Sequence, residues 1–90
     1  MKKLVLATLF ASSLAYAGTP IESDAIISEQ MNSELISAVA DVVKAFGYRC
    51  DSVSSARPLR SEDGFAIVCN NYRYSYELRD IGGNWRVFVE

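Results

Sequence analysis

Cys50 and Cys69 are the only cysteines in the chain, with a polar stretch between them. The pair limits the fold more than any other feature. Its spacing is too wide for a C-x-x-C redox motif, and no second pair exists to complete a zinc site. A structural bridge remains, joining two neighbouring strands. Closing a loop of this length constrains the unfolded chain by about 3 kcal/mol. Such bridges belong to chains that mature in an oxidising compartment.

The start of the chain points the same way. Met1-Lys2-Lys3 is charged, an apolar run follows from Leu4 to Leu14, and small residues stand at Ala15 and Ala17. This is the three-part pattern of a secretory signal peptide. The run falls short of the roughly 20 apolar residues that cross a bilayer. Gly18, where a lipoprotein would have cysteine, follows the expected cleavage point. The sequence therefore predicts a signal peptide over 1–17 and a single small exported α+β domain over 18–90. The periplasm is the expected destination, with secretion from the cell as the alternative, and no membrane association after cleavage. Loss of Lys2 and Lys3 leaves seven basic against eleven acidic residues, a formal charge of −4. A core of this size is marginal, and a disulfide is a common supplement.

Thr19-Pro20-Ile21-Glu22 has the form of a capping box, with proline at the first helical position. It places the helix start there, with a loose arm and a start nearer Ser28 as the alternative. Met31, Leu35, Val39, Val42 and Phe46 then recur at helical spacing, widened by Ile36 and Val43. Gly47 is a natural stop. The acids Glu22, Asp24, Glu29, Glu34 and Asp41 read as a solvated face.

Beyond Gly47 the period becomes two. Residues 48–54, 65–70, 72–78 and 85–90 have strand character, rich in aromatic and β-branched side chains. Asn70-Asn71 and Gly82-Gly83 suit tight turns. A two-residue turn at Asn70-Asn71 sets Cys69 opposite Tyr72, Ile67 opposite Tyr74 and Phe65 opposite Tyr76. Cys50 facing Cys69 sets Ser54 opposite Phe65, leaving 55–64 as a loop. For the last hairpin, pairing Glu77 with Arg86 and Arg73 with Glu90 is preferred over juxtaposing Arg79 and Arg86, because like charges oppose pairing. Cys50, Phe65, Ile67, Cys69, Tyr72, Tyr74, Tyr76, Leu78, Trp85, Val87 and Val89 then share the helix-covered face. Asp51, Val53, Ala66, Val68, Arg73, Ser75, Glu77, Arg86, Phe88 and Glu90 share the other.

The expected fold is α+β: one N-terminal amphipathic helix packed on a four-stranded antiparallel β-meander, in two layers with one disulfide. The arrangement is similar to that of PepSY-type and β-lactamase-inhibitor-like domains. The likeness is one of architecture, and no residue role is carried across.

Chemistry is sparse. There is no histidine, the cysteines are committed to a bridge, and Glu62-Asp63 sit side by side in a loop, which defines no general acid–base pair. No enzyme, cofactor or metal site is expected. Tyr72, Tyr74, Tyr76 and Trp85 resemble a stacking platform, but alternate aromatics under a helix read as core. The acidic balance and lack of a basic run argue against nucleic acid.

The arginines are more suggestive. All six lie beyond Gly47, at Arg49, Arg57, Arg60, Arg73, Arg79 and Arg86. Cross-strand pairing within the sheet accounts for some. The others point to a protein partner, because arginine and aromatic residues anchor interfaces. The candidates are Phe88 with Arg73 and Arg86 on the open face, and Leu59 between Arg57 and Arg60 in the loop. The last strand, if it has a free edge, is a further place for a partner's strand. The chain is thus expected to be a non-catalytic protein-binding module, such as an inhibitor or accessory subunit. A small-ligand binder using the aromatic face under the helix is the first alternative, and a carboxylate-based hydrolase the second.

Overall fold

The computed structural model describes residues 18–90; the expected signal peptide at 1–17 lies outside the described residues. Among these, strand β1 (Ile21–Ile27) precedes helix α1 (Ser33–Ala45), and four strands follow: β2 (Val53–Pro58), β3 (Gly64–Cys69), β4 (Tyr74–Ile81) and β5 (Asn84–Val89). They form one five-stranded sheet in the order β1-β2-β3-β4-β5. β1 runs parallel to β2, and the remaining pairs are antiparallel. The expected α+β fold with one helix and one disulfide is present. The four-stranded, wholly antiparallel sheet behind an N-terminal helix is corrected to a mixed five-stranded sheet whose first element is a strand.

The correction lies in residues 19–27. Parallel neighbours need a long crossover, and α1 supplies it between β1 and β2. Val53 N–H donates to the Pro20 carbonyl and Ser28 N–H to the Ala56 carbonyl, both at 2.9 Å. The backbone groups that a helix would have satisfied internally are thus taken by β2. The helix starts instead at Asn32, whose Oδ1 accepts from Leu35 N–H at 2.8 Å. Its expected end holds. Gly47 (φ +92°) donates to the Lys44 carbonyl and Tyr48 to the Val43 carbonyl, closing the last turn.

Ile36, Val39, Ala40 and Val43 of α1 are buried with Val53, Ala56, Ile67, Cys69, Tyr76 and Leu78. Burying a side chain of the size of Ile36 or Leu78 stabilises the fold by about 1.5–3 kcal/mol. The expected face assignment survives for Ile67, Cys69, Tyr76 and Leu78. Val53, expected on the open face, is fully buried. A bulge between Val53 and Ser55 turns two consecutive side chains inward, so Ser54 is buried beside it. Tyr72 (48% exposed), Trp85 (41%) and Val89 (58%) are not core. Tyr72 falls in a turn, and the other two lie on the edge strand.

Both hairpin registers differ from expectation. Residues 70–73 form a longer loop in which Asn70, Asn71 and Tyr72 all have positive φ. Cys69 therefore pairs with Tyr74, Ile67 with Tyr76 and Phe65 with Leu78. The shift is two residues, which preserves each side chain's face. In the last hairpin Gly82 (φ +63°) and Gly83 (φ +89°) form a two-residue turn that forces Arg79 opposite Arg86 and Glu77 opposite Phe88. Arg79 escapes the like charge by turning to Glu77 at 2.6 Å and Glu62 at 3.3 Å. Turn geometry outweighs a charge pair worth a fraction of a kcal/mol.

The Cys50–Cys69 bridge is formed, with Cα atoms 5.1 Å apart. It does not join paired strand positions. Val53 is the partner of Cys69 and Pro58 that of Phe65, so β2 begins later than expected and the loop shrinks to 59–63. Cys50 lies in the segment between α1 and β2, where Asn70 Oδ1 accepts from the backbone of Asp51 and Ser52. The bridge ties that segment to the end of β3.

Candidate functional site

Strand alternation builds the surface opposite α1. With Ile67, Cys69, Tyr76 and Leu78 facing the core, their neighbours face away. Arg57, Ala66, Glu77 and Phe88 form one row across β2, β3, β4 and β5, and Gly64, Arg79 and Arg86 the next. The Arg79 guanidinium lies over the Phe88 ring, 4.7 Å from its centre, a cation–π contact.

The structure thus puts Arg57, Arg86 and Phe88 from the sequence candidates on one face, Arg86 and Phe88 side by side on β5 and Arg57 across β3 and β4 from them. Arg57 reaches no carboxylate within ion-pair distance among the described residues, and neither does Arg86. Arg60 is exposed in the loop beyond Arg57 and shares a shallow depression with it, Leu59 and Ser28. Leu59 is half-buried, its Cδ1 close over Gly64. The loop is tethered by the Asp80 N–H, which donates to the Asp63 carbonyl at 3.1 Å. Arg73 stands apart in the 70–73 turn, at the other end of the sheet.

Two acids meet on this face. Glu77 is held below the usual carboxylate range, chiefly by its hydrogen bond from Arg79 and then by one from Glu90. Glu90 is pushed up, chiefly because it shares a hydrogen bond with Glu77. Splitting a carboxyl pair in this way is also how acid–base sites are made. Here the pair sits on an open sheet surface rather than in a cleft.

Two buried or half-buried features lie on the other side. Tyr76 donates from its Oη to the Arg49 carbonyl at 2.8 Å, and burial raises its pKa. This is a core phenol with a satisfied hydroxyl. Between α1 and the sheet, Leu35, Ala38, Val39, Val42, Phe65, Leu78 and Trp85 leave an apolar cleft of about 200 Å³. Ligand pockets commonly run from about 300 to 1,000 Å³.

Glu22, expected as a helix-capping acid on a solvated face, instead accepts hydrogen bonds from distant residues. Its Oε2 accepts from Ser52 Oγ at 2.6 Å, Ser54 Oγ at 2.8 Å and Asn71 N–H at 2.9 Å. The Ser52 hydrogen bond, then that from Asn71, holds its pKa down. The N–H groups of the left-handed residues 70–72 go to three acceptors: Asn70 to the Ser52 carbonyl, Asn71 to Glu22, and Tyr72 to Ser54 Oγ at 3.0 Å. No sequence signal links residue 22 to residue 71.

Since the folded pKa of Glu22 is depressed, its contribution is complete above the unfolded value and disappears as pH falls through the folded one. In Glu22→Ala, the Asn71 amide should lose its protection from hydrogen exchange at neutral pH. In the parent protein the same loss should appear only on acidification below about pH 4. Unchanged Asn71 protection in the variant would show that the turn holds itself.

Compared with protein-family profiles, curated proteins and solved structures, the chain finds no match.

Proposed function

We propose that the chain is an exported, non-catalytic module of the periplasm or extracellular space that binds another protein, in the manner of an inhibitor or accessory subunit. One observation carries this reading. On one open sheet face Arg86 stands beside Phe88 on β5 and Arg57 stands on β2, with Ala66 and Glu77 between, and among the described residues neither arginine has a carboxylate in ion-pair range. Arginine's planar guanidinium suits bidentate contact with a partner's carboxylates, and Phe88 offers apolar area beside Arg86. Ala66 and Val68 add small apolar neighbours from β3. The disulfide fits an oxidising compartment, and with the composition of residues 1–17 it supports export and a single domain over 18–90.

The test is capture by the immobilised, oxidised chain from the exported fraction of its host, run beside Arg57→Ala/Phe88→Ala. A protein retained by the parent chain and lost from the variant supports the open face as the site. Retention of the same set by both, or of nothing by either, removes it. The small-ligand reading is weaker because the cleft beside Trp85 is below the usual size for such sites.

A further inference from the structure

One surface depression is lined by two cations and, among the described residues, no acid. It lies where β1 and β2 end and the 59–63 loop begins, has a volume of about 450 Å³, and is bounded by Ser28, Gln30, Arg57, Pro58, Leu59 and Arg60. That volume is within the range of ligand sites. The chain has more acidic than basic residues, so such a depression is an exception on its surface.

The acids nearest in sequence are directed elsewhere. Glu29 adjoins Ser28 but does not line the depression, Glu62 pairs with Arg79 at 3.3 Å, and Asp63 borders a separate hollow with Asp80 and Trp85. Across the open face Glu77 answers chiefly to Arg79 and Glu90 chiefly to Glu77, and Arg57 is a minor influence on either. Neither Arg57 nor Arg60 has an ion pair among the described residues.

The walls are held by backbone hydrogen bonds. Ser28 N–H donates to the Ala56 carbonyl at 2.9 Å, Met31 N–H to the Ser28 carbonyl at 3.0 Å, and Leu59 N–H to the Gly64 carbonyl at 3.0 Å. Arg57 Nη1 donates to the Pro58 carbonyl at 3.5 Å, a long contact that turns the guanidinium toward the loop. The Ser28 hydroxyl accepts from Gln30 N–H at 3.2 Å, which leaves its own hydrogen to donate. The exposed Gln30 side chain carries two further N–H donors.

This donor set selects the ligand. A carboxylate has two oxygens, and one guanidinium fork matches both. A phosphoryl group has three acceptor oxygens and up to two charges, so it can accept from two arginines and a hydroxyl at once. We infer that the depression is a phosphoryl-binding site, with Arg57 and Arg60 supplying the charge and Ser28 a further hydrogen bond. Free phosphate and a phosphate monoester share this chemistry. The site has Arg57 in common with the protein-binding reading but does not rest on it, since Arg86 and Phe88 do not line the depression.

The test is a titration of the oxidised chain with sodium phosphate at neutral pH and constant ionic strength, followed by amide NMR shifts up to about 50 mM. Saturable shifts confined to residues 28–30 and 57–60 are expected, half-maximal at about 5 mM, because both arginines are exposed. Arg57→Gln and Arg60→Gln should each weaken binding roughly fivefold or more, and the double variant should abolish it. Arg73→Gln and Arg86→Gln make the same change in net charge and should leave the affinity within about twofold. Phe88→Ala, which tests the protein-binding reading, should leave phosphate binding unchanged. These side chains are exposed, and unshifted resonances elsewhere report that each variant is folded. Glycerol 3-phosphate separates the sources: tighter binding than phosphate assigns a monoester, and equal or weaker binding the free ion. The proposal is overturned by the absence of saturable shifts, by shifts centred on Arg49 and Arg73, or by equal losses in Arg60→Gln and Arg86→Gln. Acetate matching phosphate in affinity would also overturn it.

Discussion

Gly64→Ala should cost about 3 kcal/mol or more, because strain and overpacking act together at this position. Gly64 opens β3 at φ +155°, a conformation that side chains rarely adopt. A Cβ there would clash directly with the backbone carbonyl oxygen of Leu78, and would stand 2.9 Å from Leu59 Cδ1. The leucine can swing aside, but the carbonyl belongs to the β3–β4 ladder and cannot. Relief would require that ladder to open at the Gly64–Arg79 pair, where the 59–63 loop is also anchored. Gly47 provides the control, since its φ is +92° but nothing lies within 4 Å of its Cβ position. Gly47→Ala should cost only about 1 kcal/mol of backbone strain. Denaturant melts of the two variants measure the difference. Equal losses would show that the contact with Leu78 relaxes freely.

Removing the Cys50–Cys69 bridge should have an effect of the same size. The closed loop spans a sequence separation of 19, and the chain-entropy relation assigns about 3 kcal/mol to a loop of this length. For a domain of this size that lowers the melting temperature by roughly 15 °C. Both sulfur-bearing residues are buried in the core, so Cys50→Ala/Cys69→Ala also leaves unfilled volume and should lose slightly more than reduction alone. The damage should concentrate in the segment before β2, which carries no strand pairing at Cys50 and depends on the bridge and on Asn70. Thermal melts with and without reductant test the magnitude. A fall below about 4 °C, the shift for 1 kcal/mol, would mean that the segment is held mainly by its hydrogen bonds.

Particular residues show how far the sequence carried the fold. The alternation from Phe65 to Leu78 placed Ile67, Cys69, Tyr76 and Leu78 on the covered face even though the hairpin register was off. A shift of two residues does not change the face, so the face is robust to an error that the register is not. The open-face positions of Arg86 and Phe88 were legible for the same reason. Val53 was not, because a bulge is a single local departure from period two and leaves no compositional mark. Arg79 opposite Arg86 contradicted a sound charge argument, because paired glycines fix a turn more firmly than one exposed ion pair fixes a register.

The sequence by itself determined the bridge, the helix from its apolar stripe to its glycine stop, and the two faces of the antiparallel strands. Each rests on short-range periodicity or on the absence of any other partner, as with the two cysteines. Only the tertiary structure decided that residues 21–27 are a strand. Their local pattern suits a helix start, and what overrides it is a parallel ladder to residues beyond the whole of α1. The same long-range pairing carries Glu22 to the left-handed turn at Asn71 and leaves β5, rather than β1, as the regular exposed edge. Backbone hydrogen bonds to a distant strand are invisible in composition and spacing, and here they set both the anchor of the sheet and its open side.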